Sequence, residues 1–145
     1  MQEMLNQSSW INHLLKNIEE NQSKDTIRLV ELCGKCCAQD SGHLEGAVGL
    51  HDLMSECKTR SEYVEFMRKT FPFDVEEADD GIIIHYKKKA CTCRMSPEVK
   101  NPILCNCTLG HEKAMWGIVF GREIDAEIIE SFQLGGKDCV VKLIV

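Results

Sequence analysis

The spacing of apolar residues splits the chain into a helical first half and a mixed second half. From about Glu3 to Glu19, the residues Leu5, Trp10, Ile11, Leu14, Leu15 and Ile18 recur mostly three and four apart, which predicts an amphipathic helix. Asn21-Gln22-Ser23 breaks it, and Ser23 is placed to cap a second helix with Ile27, Val30, Leu32 and Cys33 facing inward. Asp40-Ser41-Gly42 reads as a turn. A third helix follows from His43 or Leu44 to Lys58, with Leu44, Val48, Leu50, Leu53, Met54 and Cys57 as its apolar positions. Ser61 opens a fourth, with Glu62 and Glu65 near its start, where carboxylates suit the helix dipole. Phe71-Pro72-Phe73 ends it.

Beyond that point the period changes. Glu76 to Asp80 reads as an acidic link. Gly81-Ile82-Ile83-Ile84-His85-Tyr86 is β-branched after a turn signal, which predicts a strand that could run through Lys87-Lys88-Lys89 to Cys91. The stretch from Arg94 to Leu104 holds Pro97 and Pro102 and reads as a loop. Thr108 can cap a helix from Leu109 to Phe120, which Gly121 stops. Ile124-Asp125-Ala126-Glu127-Ile128 alternates with period two, as a strand wet on one side does. Leu134-Gly135-Gly136-Lys137 is a hairpin turn, and Cys139 to Val145 is a nearly continuous apolar strand. The expected fold class is α+β: N-terminal helices packed on a small antiparallel sheet, with one helix before the closing strand pair. No repeat or linker divides the chain, so residues 1–145 are expected to form one domain.

Composition adds exclusions. A net charge of −6 speaks against nucleic acid as the main partner, because phosphate binding needs a basic face. Met1 to Trp10 lacks the apolar run of a signal peptide, and the longest apolar stretches fall well short of the ~18–20 residues of a membrane span. The expectation is a cytoplasmic protein with no membrane partner. Nine cysteines without an export signal point to thiols or metal ligands before disulfides. Oligomeric state is not legible.

Four cysteines concentrate in Cys91-Thr92-Cys93 and Cys105-Asn106-Cys107. Residues i and i+2 of a strand share a face, and the intervening prolines would fold the second pair over the first. Cys91, Cys93, Cys105 and Cys107 are therefore candidate ligands of one zinc ion, which takes four thiolates in a tetrahedron. The alternatives are unliganded thiols or disulfides formed on oxidation. Cys33, Cys36 and Cys37 stand at i, i+3 and i+4 of the second helix, and read either as small core residues or as a metal or redox site. For nucleophilic catalysis a cysteine wants a histidine base, and His111 and His85 are the candidates. Phe71, Phe73, Tyr86 and Trp116 are the candidate wall of a small-molecule pocket at the junction of helices and sheet.

The phrase Cys105-Asn106-Cys107-x-x-Gly110, followed by Gly117, Gly121, Glu127, Ser131, Gly135-Gly136 and Cys139, resembles the end of the 4-vinyl-reductase type domain. Cys33-Gly34-x-x-Cys37 with the two Cys-x-Cys pairs resembles, over nearly the whole chain, an uncharacterised cysteine-rich bacterial family. The first resemblance implies helices on an antiparallel sheet with a ligand pocket between, and in its sensor members zinc-binding cysteines near these positions. Ser131 stands where such sensors often carry a cysteine. A thiazoline-carboxylate hydrolase family shares the closing strand, Gly-Gly and Cys. The expected function is a sensor-like domain that binds a small molecule or a metal, with a cysteine-dependent hydrolase or redox enzyme as the alternative.

Overall fold

Hydroxyl caps set the helical half. In a computed structural model, residues 7–89 and 98–145 are described. Helix α1 spans Gln7–Glu20 and α2 spans Lys24–Asp40. Ser23 caps α2 through the Thr26 N–H at 3.1 Å, and the Thr26 hydroxyl accepts from the Ser23 N–H at 2.9 Å. This reciprocal box satisfies two donors that a helix start leaves open. Helix α3 (His43–Leu53) follows the Ser41-Gly42 turn, and α4 spans Arg60–Thr70. The cap of α4 is Thr59, not Ser61, because Glu62 at the third helical position completes a second box with it.

The stretch expected to be an acidic link is a strand. Strand β1 (Asp74–Ala78) pairs antiparallel with β2 (Gly81–His85) across a tight turn. Its acidic residues lie on the outer edge of the sheet, where solvent accepts them, while Val75 alone is buried. Helix α5 (Cys105–Phe120), strand β3 (Asp125–Glu130) and strand β4 (Val140–Ile144) complete the fold. The four strands run β1-β2-β4-β3, every pair antiparallel, so both outer strands are acidic. The fold class is α+β, as expected, with one strand more than the hydrophobic pattern revealed.

Two apolar clusters hold these elements. The larger lies between the sheet and α3, α4 and α5, around Met54, Met67, Ile82, Ile84, Trp116 and Leu143. Arg60 ties α4 to the end of the sheet by donating to the carbonyls of Val145 and Ala78 at 3.0 and 3.1 Å. The smaller cluster joins α1, α2 and the turn before α5 through Leu15, Val30, Val99, Ile103 and Leu104.

Helix α2 is rotated from its expected orientation. Val30, Gly34 and Ala38 are its buried positions, while Leu32, Cys33, Cys36 and Cys37 are exposed. The cause is the contact with α5. A Cβ on Gly34 would lie 1.8 Å from the Cys107 carbonyl oxygen, and a Cβ on Gly110 would lie 1.7 Å from that of Glu31. Two glycines thus let the helix backbones touch, and that contact decides which face of α2 turns inward.

Candidate functional site

The crossing of α2 and α5 opens into a groove of about 780 Å³. From α2 come Arg28, Glu31, Leu32 and Lys35, spaced three and four apart and so on one helix face. From α5 come Gly110, Lys113, Ala114, Gly117 and Ile118, again on one face. Small residues recur on this side of α5, which keeps the floor low. Leu44 of α3 closes one side, and the turn Gly121 to Asp125 closes the other.

That turn is fixed by the end of α5. Gly121 adopts a left-handed backbone with φ of 69°, and the Arg122 N–H donates to the Gly117 carbonyl at 3.0 Å. Arg122 is thereby held at the rim. Lys113 spans the interior, 2.8 Å from Glu31 and 3.2 Å from Asp125. Burial opposes its charge, but the two carboxylates outweigh it and raise the Lys113 pKa above the ordinary lysine value. Arg28, Lys35 and Arg122 form no ion pair or side-chain hydrogen bond among the described residues.

The four aromatic candidates do come together. Phe71 and Phe73 stack at 4.8 Å, Phe73 meets Tyr86 edge-on at 5.1 Å, and Phe71 meets Trp116 at 6.2 Å. They pack within the sheet-side core, and the cavities described here are lined by other residues. Beneath them lies a group that sequence reasoning missed. Glu112 on α5 is buried, and its Oε2 accepts from the Tyr86 hydroxyl at 2.7 Å and from Trp116 Nε1 at 2.8 Å. Burial raises the Glu112 pKa, while both hydrogen bonds act to lower it. Burial also pushes the Tyr86 phenol up, with the Glu112 charge adding to it.

Of the four cysteine candidates, two lie among the described residues. Cys91 and Cys93 lie outside the described residues. Cys105 and Cys107 sit on the first turn of α5, not on a strand or loop, because Asn101 caps a short helical turn at Pro102–Leu104 that leads straight into α5. Two residues apart on a helix means about 200° around its axis, so the shared strand face assumed for this pair is not there. Cys105 Sγ is 3.2 Å from Ser131 Oγ and lines a small cavity with Thr108 and Cys139. Cys107 packs into the smaller apolar cluster. Among the described residues no group of three or more His, Cys, Asp and Glu side chains is disposed to hold a metal. The histidine candidates have other partners. His111 Nε2 is 2.8 Å from His43 Nδ1, and His85 Nε2 is 2.9 Å from Glu76.

Cys33, Cys36 and Cys37 line a second, open groove of about 500 Å³ with Leu29, Leu32 and Asp40, on the outward face of α2. They are neither core residues nor a converged ligand set.

A family model described as a family of unknown function, DUF6144, matches residues 1–145. The chain belongs to that family. The match bears out an uncharacterised family over the whole chain, without bearing on the cysteine spacing or on the 4-vinyl-reductase likeness. No curated protein matches the chain. Among solved structures, it is similar to a trafficking protein particle complex subunit 3 from Naegleria fowleri, covalently bound to palmitic acid. The identity is 11% and the TM-score 0.45, with 94% of this chain and 93% of that chain covered, and nothing about this chain's ligand follows from it. No helix among the described residues is long and apolar enough to cross a membrane.

Arg28, Lys35 and Arg122 also escaped sequence reasoning. The signal was present in the spacing Arg28, Glu31, Leu32, Lys35, but such a row ordinarily marks a solvated helix face. Only the small residues of α5 turn it into the wall of a groove.

Proposed function

We propose that this chain is a small-molecule-binding domain whose ligand occupies the groove between α2, α5 and the start of β3. The supporting observation is the groove itself. Its volume of about 780 Å³ is that of a small-molecule site, and it combines an apolar floor with a few placed charges. A fragment screen read by amide chemical shifts tests this. Binders are expected to perturb the amides of Gly110, Ala114, Gly117 and Gly121 together. Hits that all map elsewhere end this reading.

A zinc ion held by Cys91, Cys93, Cys105 and Cys107 is a second reading. It is favoured by the nearness of a further cysteine, since Cys139 lines the same small cavity as Cys105. Cys105 and Cys107 point to opposite sides of α5, so one ion would take both only if the first turn of α5 rearranged. The test is the metal content of protein purified under reducing conditions. Stoichiometric zinc, lost on joint replacement of Cys93 and Cys107 by serine, would support it, and metal-free protein would remove it.

A further inference from the structure

The charges of the groove are unevenly matched, and this bears on what it binds. Lys113 faces two carboxylates, Glu31 and Asp125, one more than it can neutralise. Arg28, Lys35 and Arg122 are exposed cations with no partner among the described residues. Against them the groove sets only one further carboxylate, Glu123. Four cations, Arg28, Lys35, Lys113 and Arg122, against three carboxylates, Glu31, Glu123 and Asp125, leave the groove one positive charge in excess, on a chain whose net charge is −6. Beside the cations lie Leu32, Leu44, Ile118 and Ile124. Leu32 is 41% exposed, a high value for a large apolar side chain next to a charged rim.

Cations at a rim and leucine and isoleucine inside complement a molecule with an anionic head and an apolar body. A purely inorganic anion would leave the apolar floor uncovered, and a neutral apolar molecule would leave the cations without a counter-charge. Three cations are too few and too local for a nucleic-acid track, which needs a row of phosphate contacts. Resting on the groove as the binding site, we infer that its ligand is a small organic anion, with a carboxylate or phosphate head held by Arg28, Lys35 and Arg122. Arginine presents paired donors that match either head group, and Lys35 adds a point charge. The apolar body lies along α5 towards Leu44 and Ile124.

Two fluorescent probes separate the two parts of this statement. Anilinonaphthalene sulfonate and phenyl-naphthylamine share a ring system and differ by the sulfonate. The triple substitution Arg28→Gln, Lys35→Gln, Arg122→Gln changes exposed positions only, and its folding is checked by circular dichroism. It is expected to weaken the sulfonate probe by about tenfold and to leave the neutral probe unchanged, as removal of three exposed charges should. Equal change in both probes, or in neither, overturns the anionic head. Ala114→Leu, which fills the floor, should weaken both probes; if it does not fold, Leu44→Asn takes its place. If filling the floor alters neither probe, the groove itself is not the site. If it alters both while the triple substitution alters neither, the groove stands and only the head group is wrong. Competition with phenyl phosphate and with benzoate then tells phosphate from carboxylate. Equal displacement by benzyl alcohol counts against either anion.

Discussion

The Tyr86 hydroxyl donates to Glu112 Oε2 at 2.7 Å, which joins the end of β2 to the middle of α5. Trp116 Nε1 donates to the same oxygen at 2.8 Å. One buried carboxyl group therefore serves two aromatic donors in the sheet-side core. Replacing Glu112 by leucine should cost about 2–5 kcal/mol, because the phenol would be left buried without an acceptor and the indole with only the Tyr86 hydroxyl at 3.4 Å. Glutamine keeps one acceptor oxygen and should cost less. The two variants are compared by urea denaturation.

The same group gives a pH signature. Burial raises its folded-state pKa, so the native state favours the protonated form. The stability it supports is complete below the unfolded glutamate value of ~4.3 and declines as pH rises towards the folded value. Glu112→Gln has no such proton. The stability of this variant relative to the native chain should therefore improve from that pH up to the folded value and level off beyond it. A difference that is flat with pH would show that the carboxyl stays ionised in the fold.

Gly34 and Gly110 should tolerate nothing larger. Alanine at either would place a Cβ less than 2 Å from a backbone carbonyl oxygen that has no room to retreat. Each substitution is expected to cost more than ~3 kcal/mol or to prevent folding. Gly46, within α3, is the control. Nothing lies within 4 Å of its Cβ position, so Gly46→Ala should stabilise the protein by about 0.5–1 kcal/mol. Thermal melts of the three variants check the order.

Lys113→Met should leave Glu31 and Asp125 without their shared cation. The group is partly exposed, so the loss is expected at ~1 kcal/mol and should shrink in high salt. The raised lysine pKa keeps this contribution through neutral pH, and it is lost only as pH rises beyond ~10.5. Denaturation at low and at high ionic strength measures it.

His111 should act in the acid range. Burial lowers its pKa, helped by His43 and Lys88 beside it. The unfolded chain binds the proton more readily, so stability falls as pH drops from ~6.5 towards the lowered folded value. His111→Gln should remove this part of the acid sensitivity. Stability curves at pH 5 and pH 7 that keep the full native difference in the variant would assign it to other groups.

Much of the scaffold was legible in local chemistry. Ser23 as a cap, Gly121 as a stop and the alternation after Ile124 each act within a few residues, and each is found where its pattern placed it. Strand β1 was missed because an edge strand with one buried residue has too little alternation to show against Glu76, Glu77, Asp79 and Asp80. The inward face of α2 was misjudged because hydrophobicity favoured Leu32 and Cys33, whereas the actual contact depends on the absence of a side chain at Gly34. The groove depends on that same crossing of two distant helices, so no stretch of sequence announces it. Glu112 was invisible for a related reason, since its donors are Tyr86 on another element and Trp116 one turn along.

The acidic outer strands have a bearing on handling and storage. The two open margins of the sheet are β1, with Asp74, Glu76 and Glu77, and β3, with Asp125, Glu127 and Glu130. Two molecules that approached strand to strand would set carboxylates against carboxylates, which discourages runaway β-aggregation at neutral pH. Repulsion between whole molecules is a separate safeguard, set by net charge. Acidification towards the isoelectric point near 5.4 removes that charge, so turbidity should begin there even where the fold is still intact, and concentrated stocks should keep best well above it.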